Sequence, residues 1–306
     1  MQDHTIISKA HYRAGLRVRE KVIELFILCN GILVVAVLIG ILVMLLIEGI
    51  PAFSQTSVWD FFTGTKWYPV SNPPTFGIFT FFISTIVVTV IATILAIPLG
   101  VGSAIYLAEI AKPKIRETVK PLIELLAGIP SIVMGVIGLA LVTTVVREAF
   151  NLNTGLCGLT AGIMLAFMSV PIVVSISEDA LSTVPKEFRE ASYALGATKW
   201  QTIIHVCVPA ALSGITAAIM LGIGRAIGET MTVLMVAGGA IALNFSPLEP
   251  MRPMTAVIAA EINNAVRGGA QYHALFAIGL ALFILTFFVN FAADQVLERQ
   301  RRKFAR

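Results

Sequence analysis

Gly222-Ile-Gly-Arg225-Ala-Ile-Gly228-Glu229-Thr-Met-Thr-Val233 sets one arginine and one glutamate inside a run with no other charge. No charged residue occurs among the 25 before Arg225 (200–224) or the 19 after Glu229 (230–248). An ionisable side chain at bilayer depth costs ~2.5–3.5 kcal/mol even on the lenient insertion scale, so such residues face a cavity, a partner or a substrate path.

Working outward, the same apolar pattern recurs along the chain. Hydrophobic residues make up 57% of the 306, charged residues 13%, and mean hydropathy is +0.87; a soluble domain carries about 25% charged residues. Uncharged stretches cover 25–47, 67–108, 125–146, 149–177, 200–224 with 230–248, and 268–293. Each holds the roughly 20 apolar residues that a helix needs to cross ~30 Å of hydrocarbon. This predicts six membrane helices, near 24–47, 77–107, 121–146, 157–177, 208–243 and 272–293. The fold class is an all-α, polytopic membrane protein surrounded by lipid.

Basic residues set the orientation. The amino terminus, 109–120, 178–206 and 294–306 carry 17 Lys/Arg, whereas the opposite loops carry Lys66, Arg147, Arg252 and Arg267. The positive-inside rule puts both termini in the cytoplasm. The organisation is a basic cytoplasmic segment (1–21), a first membrane helix with its external loop (22–76), a transmembrane core (77–293) and a basic tail (294–306). The pI near 9.0 is explained by this topology and requires no nucleic acid. The first apolar stretch is longer than a signal-peptide core and is expected to be retained.

Several chemistries are excluded by inspection. Cys29, Cys157 and Cys207 lack metal-ligand spacing and the four histidines are scattered, so no metal site is expected. Gly222-x-Gly224-x3-Gly228 is not a dinucleotide fingerprint, and no phosphate-binding G-x4-G-K-[ST] loop occurs. The chain is not expected to be an enzyme or to bind a cofactor of its own. Pro98, Pro130 and Pro171 lie inside predicted spans and are expected to kink them. Trp59, Phe61, Phe62, Trp67 and Tyr68 in the first external loop read as an interfacial aromatic belt, with a docking surface as the alternative.

The loop 178–206 has its own grammar. Pro185 suits the first turn of a helix running to about Leu195, Gly196 supplies the positive φ of a stop, and Thr198-Lys-Trp-Gln201 has capping-box spacing. Two short helices about a glycine elbow make a rigid knob; an amphipathic pair lying on the membrane is the other reading.

These residues carry a resemblance. Glu190-Ala191-Ser192, three residues, Gly196-Ala197, then Val206-Cys-Val-Pro209 resembles the E-A-A-x3-G-x9-I-x-L-P loop of type I ABC importer permeases (MetI-like), departing at Ser192, Val206 and Val208. Leu125-Leu-Ala-Gly-Ile-Pro130-Ser, Ala194-Leu-Gly-Ala-Thr-Lys-Trp and Gly224-Arg-Ala-Ile-Gly-Glu-Thr230 are similar to phosphate-specific members. Met231-Thr-Val-Leu-Met-Val-Ala-Gly-Gly239 resembles the C-type member of their permease pair. The resemblance implies an A-type permease partner, two cytoplasmic ATPase copies that hold ATP and Mg, and an extracytoplasmic phosphate-binding protein. It also implies that Glu190, Ala191, Ser192, Gly196, Ala197 and Pro209 form the ATPase coupling element, in a bacterial inner membrane.

A helix starting near Ala210 would carry Arg225 about 22 Å along its axis, with Glu229 one turn further on the same face. Arg225, Glu229 and Thr230 are then the candidate substrate path or gate, since a guanidinium fork matches phosphate. Alternatively the pair staples helices together. Other oxyanions (molybdate, sulfate) and a stand-alone secondary transporter remain the alternative functions.

Overall fold

The computed structural model describes the backbone of residues 3–304 and the side chains of 20–295 and Glu298. Asp3–Gly49 (α1) leads into a 3-10 turn, and the two share the first apolar span, Glu20–Ser54. Every side chain from 20 to 41 is exposed. Val58–Thr63 (α2) and the antiparallel strands Trp67–Tyr68 (β1) and Thr75–Phe76 (β2) form a small lobe before Phe79–Ile105 (α3). Helix α3 runs on through a π turn to Ile110.

Next come Pro113–Ala127 (α4), Ser131–Ile137 (α5), a π turn and Thr143–Ala149 (α6). Gly158–Ser182 (α7) precedes Lys186–Ala194 (α8) and Lys199–Thr202 (α9). A π turn over Ile203–Cys207 joins α9 to Val208–Ala210 (α10), followed by Leu212–Gly228 (α11). Met231–Val236 (α12), Met254–Glu261 (α13) and Ala270–Phe304 (α14) complete the chain. Among the described residues, five helices are long and apolar enough to span, six when the bent pair Lys199–Ala210 and Leu212–Gly228 is one span. The protein is an all-α, multi-pass membrane protein.

Three expectations need correction. The third span begins at Ser131, not near 121, because Pro130 takes extended dihedrals (φ −57°, ψ 137°) and breaks the chain. Pro130 therefore starts a helix rather than kinking one, while Pro98 and Pro171 do lie inside α3 and α7. The fifth span does not run over 208–243: it bends by 70° near Ala211 and ends at Gly228. Pro209, two residues past the π turn, cannot donate to the preceding turn and sits beside that bend. Beyond α12 the chain is irregular, with Gly238 and Gly239 at φ +94° and +70°, a region that disfavours side chains.

The aromatic loop is also not simply a belt. Phe61 and Trp67 are fully buried with Phe76, Ile78 and Phe81 against Met254, Val257, Leu275 and Ile278. Only Trp59, Phe62 and Tyr68 of the five remain exposed. Burying side chains of this size contributes about 1.5–3 kcal/mol each, so the lobe packs as part of the core.

Helices α3, α7 and α11 close around Val173. A Cβ on Gly100 would lie 2.7 Å from one of its methyls, and a Cβ on Gly222 would lie 2.8 Å from the other. Glycine at both positions lets the three backbones approach, the usual device where lipid supplies no hydrophobic drive.

Candidate functional site

Helix α11 stops at Gly228, and Glu229 is extended (φ −70°, ψ 132°). The chain reverses there into α12. The Glu229 carboxylate turns forward and accepts from the backbone N–H of Thr230 (3.1 Å) and Thr232 (3.4 Å). A carboxylate at a helix start satisfies orphan donors and suits the local dipole. The break is tied down on three sides. The Glu229 carbonyl accepts from Thr255 Oγ1 of α13 (2.7 Å), and fully buried Thr232 donates to the Ser131 carbonyl at the head of α5 (2.8 Å). The Thr232 hydroxyl also meets Met168 Sδ of α7 at 3.3 Å.

Arg225 lies one turn before the break, half-buried. Among the described residues it forms no ion pair, and its buried Nε has no hydrogen-bond partner. The expected Arg225–Glu229 pair is therefore absent. Pairing at four-residue spacing requires an unbroken helix, and this one ends between the two. Thr230 is half-buried, its hydroxyl donating weakly to the Gly228 carbonyl at 3.3 Å. The site thus holds a guanidinium with spare donors beside a carboxylate already committed to the backbone.

The knob forms as the sequence predicts. Helix α8 ends at Ala194, Gly196 has φ +82°, and Thr198 and Gln201 form a reciprocal capping box. Its two bonds are 2.8 and 3.3 Å. Glu190, Ala191 and Gly196 are exposed, whereas Ser192, Ala197 and Pro209 are partly covered. Ser192, where the resembled pattern has alanine, bonds Thr202 Oγ1 at 2.9 Å and closes α8 onto α9. Phe188, Tyr193, Leu195 and Trp200 are exposed on the same knob.

Two charge clusters beside the α8 knob escaped the sequence reading. Glu178 is fully buried in the last turns of α7, paired with Arg116 and with Lys120 (2.6 Å) of α4. Arg189 of α8 is paired with Glu109 in the π turn after α3, at 2.5 Å. Hydrogen bonding to Glu109 raises the Arg189 pKa further above its usual range. These residues looked like loop charges because their partners are 58 to 80 residues away in sequence. Beside the aromatic lobe Glu261 gathers Arg252 (2.9 Å), Trp67 Nε1 (3.0 Å) and Gln271 (2.9 Å).

Comparison with known proteins agrees with this architecture. A probable ABC transporter permease of Bacillus subtilis strain 168, YqgH, is 36% identical over 259 residues, 84% of each chain. The phosphate transport system permease protein PstC of Mesorhizobium japonicum is 36% identical over 288 residues, 88% of this chain and 87% of that one. A solved bacterial ABC transporter involved in import of the acidic polysaccharide alginate aligns with a TM-score of 0.59 at 12% identity. It covers 87% of this chain and 95% of that one, a likeness of fold alone. Residues 96–303, from the middle of α3 to the end of α14, match the model of one family along this whole helical core, and the chain belongs to it: the binding-protein-dependent transport system inner membrane components.

Proposed function

We propose that this chain is a permease subunit of an ATP-driven importer of inorganic phosphate. The observation that carries the reading is the 36% identity over 288 residues to a phosphate transport permease. Both termini and the α8 knob face the cytoplasm of a bacterial cell with an inner membrane, in keeping with the 17 basic residues on that face. The knob seats on one of two ATPase copies, which hold ATP and Mg and perform the hydrolysis; this subunit performs none. An A-type permease completes the path, and an external binding protein delivers phosphate at the opposite face.

Arg225 alone serves as the anion contact, with Thr230 beside it and Glu229 holding the break. An arginine whose Nε lacks a protein partner offers its fork to a tetrahedral oxyanion. The test is uptake of radiolabelled phosphate by the reconstituted complex. ATP-dependent uptake that unlabelled phosphate blocks, and that excess sulfate or molybdate leaves intact, supports the reading. Preferred uptake of sulfate or molybdate would replace the substrate; uptake without ATP would mean a stand-alone transporter.

A further inference from the structure

Helix α8 buries no residue of its own. Apolar packing therefore does not fix it, and its attachment comes from the side chains it sends inward. Arg189 is the most connected of these. Its Nε donates to Glu109 Oε2 (3.2 Å) and its Nη2 to Glu109 Oε1 (2.5 Å), the two-pronged arrangement that arginine makes with carboxylates. The same guanidinium donates to the Val184 carbonyl (2.6 Å) and the Leu181 carbonyl (3.1 Å), at the exit of α7. One side chain thus joins three elements: α8, the end of α3 and the end of α7.

The receiving side is stiff. Glu109 is 7% exposed, within the π turn that continues α3 without interruption. Helices α3 and α7 pack along their length and interlock where Gly100 meets Val173. A displacement of α8 therefore reaches both helices through a short, desolvated link. Burying an ion pair for stability alone is a poor bargain, since a well-packed apolar contact of similar volume is often as stable. Directional hydrogen bonds, unlike apolar contact, transmit pull as well as push.

We propose that Arg189 and its acceptor Glu109 are the positioning pair that converts movement of α8 into movement of α3 and α7. This rests on the reading of α8 as the element seated on the ATPase.

The experiment uses the full complex in proteoliposomes with Arg189→Gln, Arg189→Lys, Glu109→Gln and the swapped pair Glu109→Arg with Arg189→Glu. Phosphate imported per ATP hydrolysed should fall at least tenfold (~1.4 kcal/mol) in Arg189→Gln and Glu109→Gln at wild-type assembly. Arg189→Lys should be intermediate, because lysine keeps charge and loses the fork, and the swapped pair should regain part of the ratio. Hydrogen–deuterium exchange with and without trapped ATP supplies a readout that needs no phosphate. In the wild type, residues 99–110 and 186–194 should respond together; in Arg189→Gln only 186–194 should respond.

An unchanged import ratio in the assembled fraction, with loss of yield alone, would overturn the proposal and leave the pair purely structural. A response of 99–110 that survives Arg189→Gln would do the same. A wild-type complex that imports no phosphate, yet shows the joint exchange response and its loss in Arg189→Gln, counts against the substrate reading only. A wild-type chain that binds no ATPase overturns both.

Discussion

Arg225 and Glu229 are four residues apart and have different surroundings. Arg225→Leu removes a cation that has no protein partner at Nε, so thermal stability should hold or rise while uptake falls. A charge-assisted hydrogen bond contributes about 1.5–3 kcal/mol, so the loss should reach roughly 100-fold at matched membrane levels. Arg225→Lys should lie between. Glu229→Ala leaves the Thr230 and Thr232 amides without their acceptor and should cost ~0.5–2 kcal/mol, as for a lost helix cap. Denaturation of the purified protein checks this, and Glu229→Gln, which keeps an acceptor oxygen, should be milder. The sequence made both residues visible because each interrupts an apolar run. Their relation was not visible, because Thr-Met-Thr-Val reads as apolar whether the helix continues or breaks. The one local hint was Gly228, and a lone glycine does not by itself end a membrane helix.

At the scale of elements, the knob was legible and its anchorage was not. Glycine stops and capping boxes are written in adjacent residues, so the α8–Gly196–α9 elbow follows from sequence. Gly196 has open space around its Cα and φ +82°, so Gly196→Val should act through backbone strain alone, about 1–2 kcal/mol. The protein should insert normally while uptake and ATPase co-purification fall; Gly196→Asn, which tolerates this region, should retain more of both. The α4 anchor gives a pH prediction. Burial alone pulls the Lys120 ammonium down, but hydrogen bonds to Asp179 and Glu178, with their charges, outweigh it and raise its pKa above 10.5. This stabilisation is fully present below 10.5 and disappears as pH rises through the raised folded value. The protection factor of amides 113–127, with base-catalysed intrinsic exchange divided out, should therefore fall in that alkaline range, whereas an α4 held by apolar contact alone would keep its protection factor there. The sequence hid this anchor because Glu178 and Asp179 read as the start of a loop when they are the last turns of α7.

For the molecule as a whole, hydropathy located the five straight spans of the described residues and overlapped the bent sixth, and what it lost was where the helices begin and break. Reporter fusions after residue 306 and within 52–72 should give cytoplasmic and external signals respectively; the reverse would overturn the assigned orientation and the direction of transport with it. The lobe between the first two spans carries a further consequence, for how the protein is made. Trp67 is completed by Glu261, which lies 194 residues later in the chain. At about 5–20 residues per second on the ribosome, that partner emerges roughly 10–40 s after the tryptophan. Until then, in the proposed orientation, two large aromatic rings, Phe61 and Trp67, wait outside without the wall they pack against in the finished fold. Nascent chains arrested before residue 250 should accordingly be cut by external protease within this lobe, and chains arrested after α14 should resist. The newborn protein carries its own inspection window, which closes only when the last helix pair arrives.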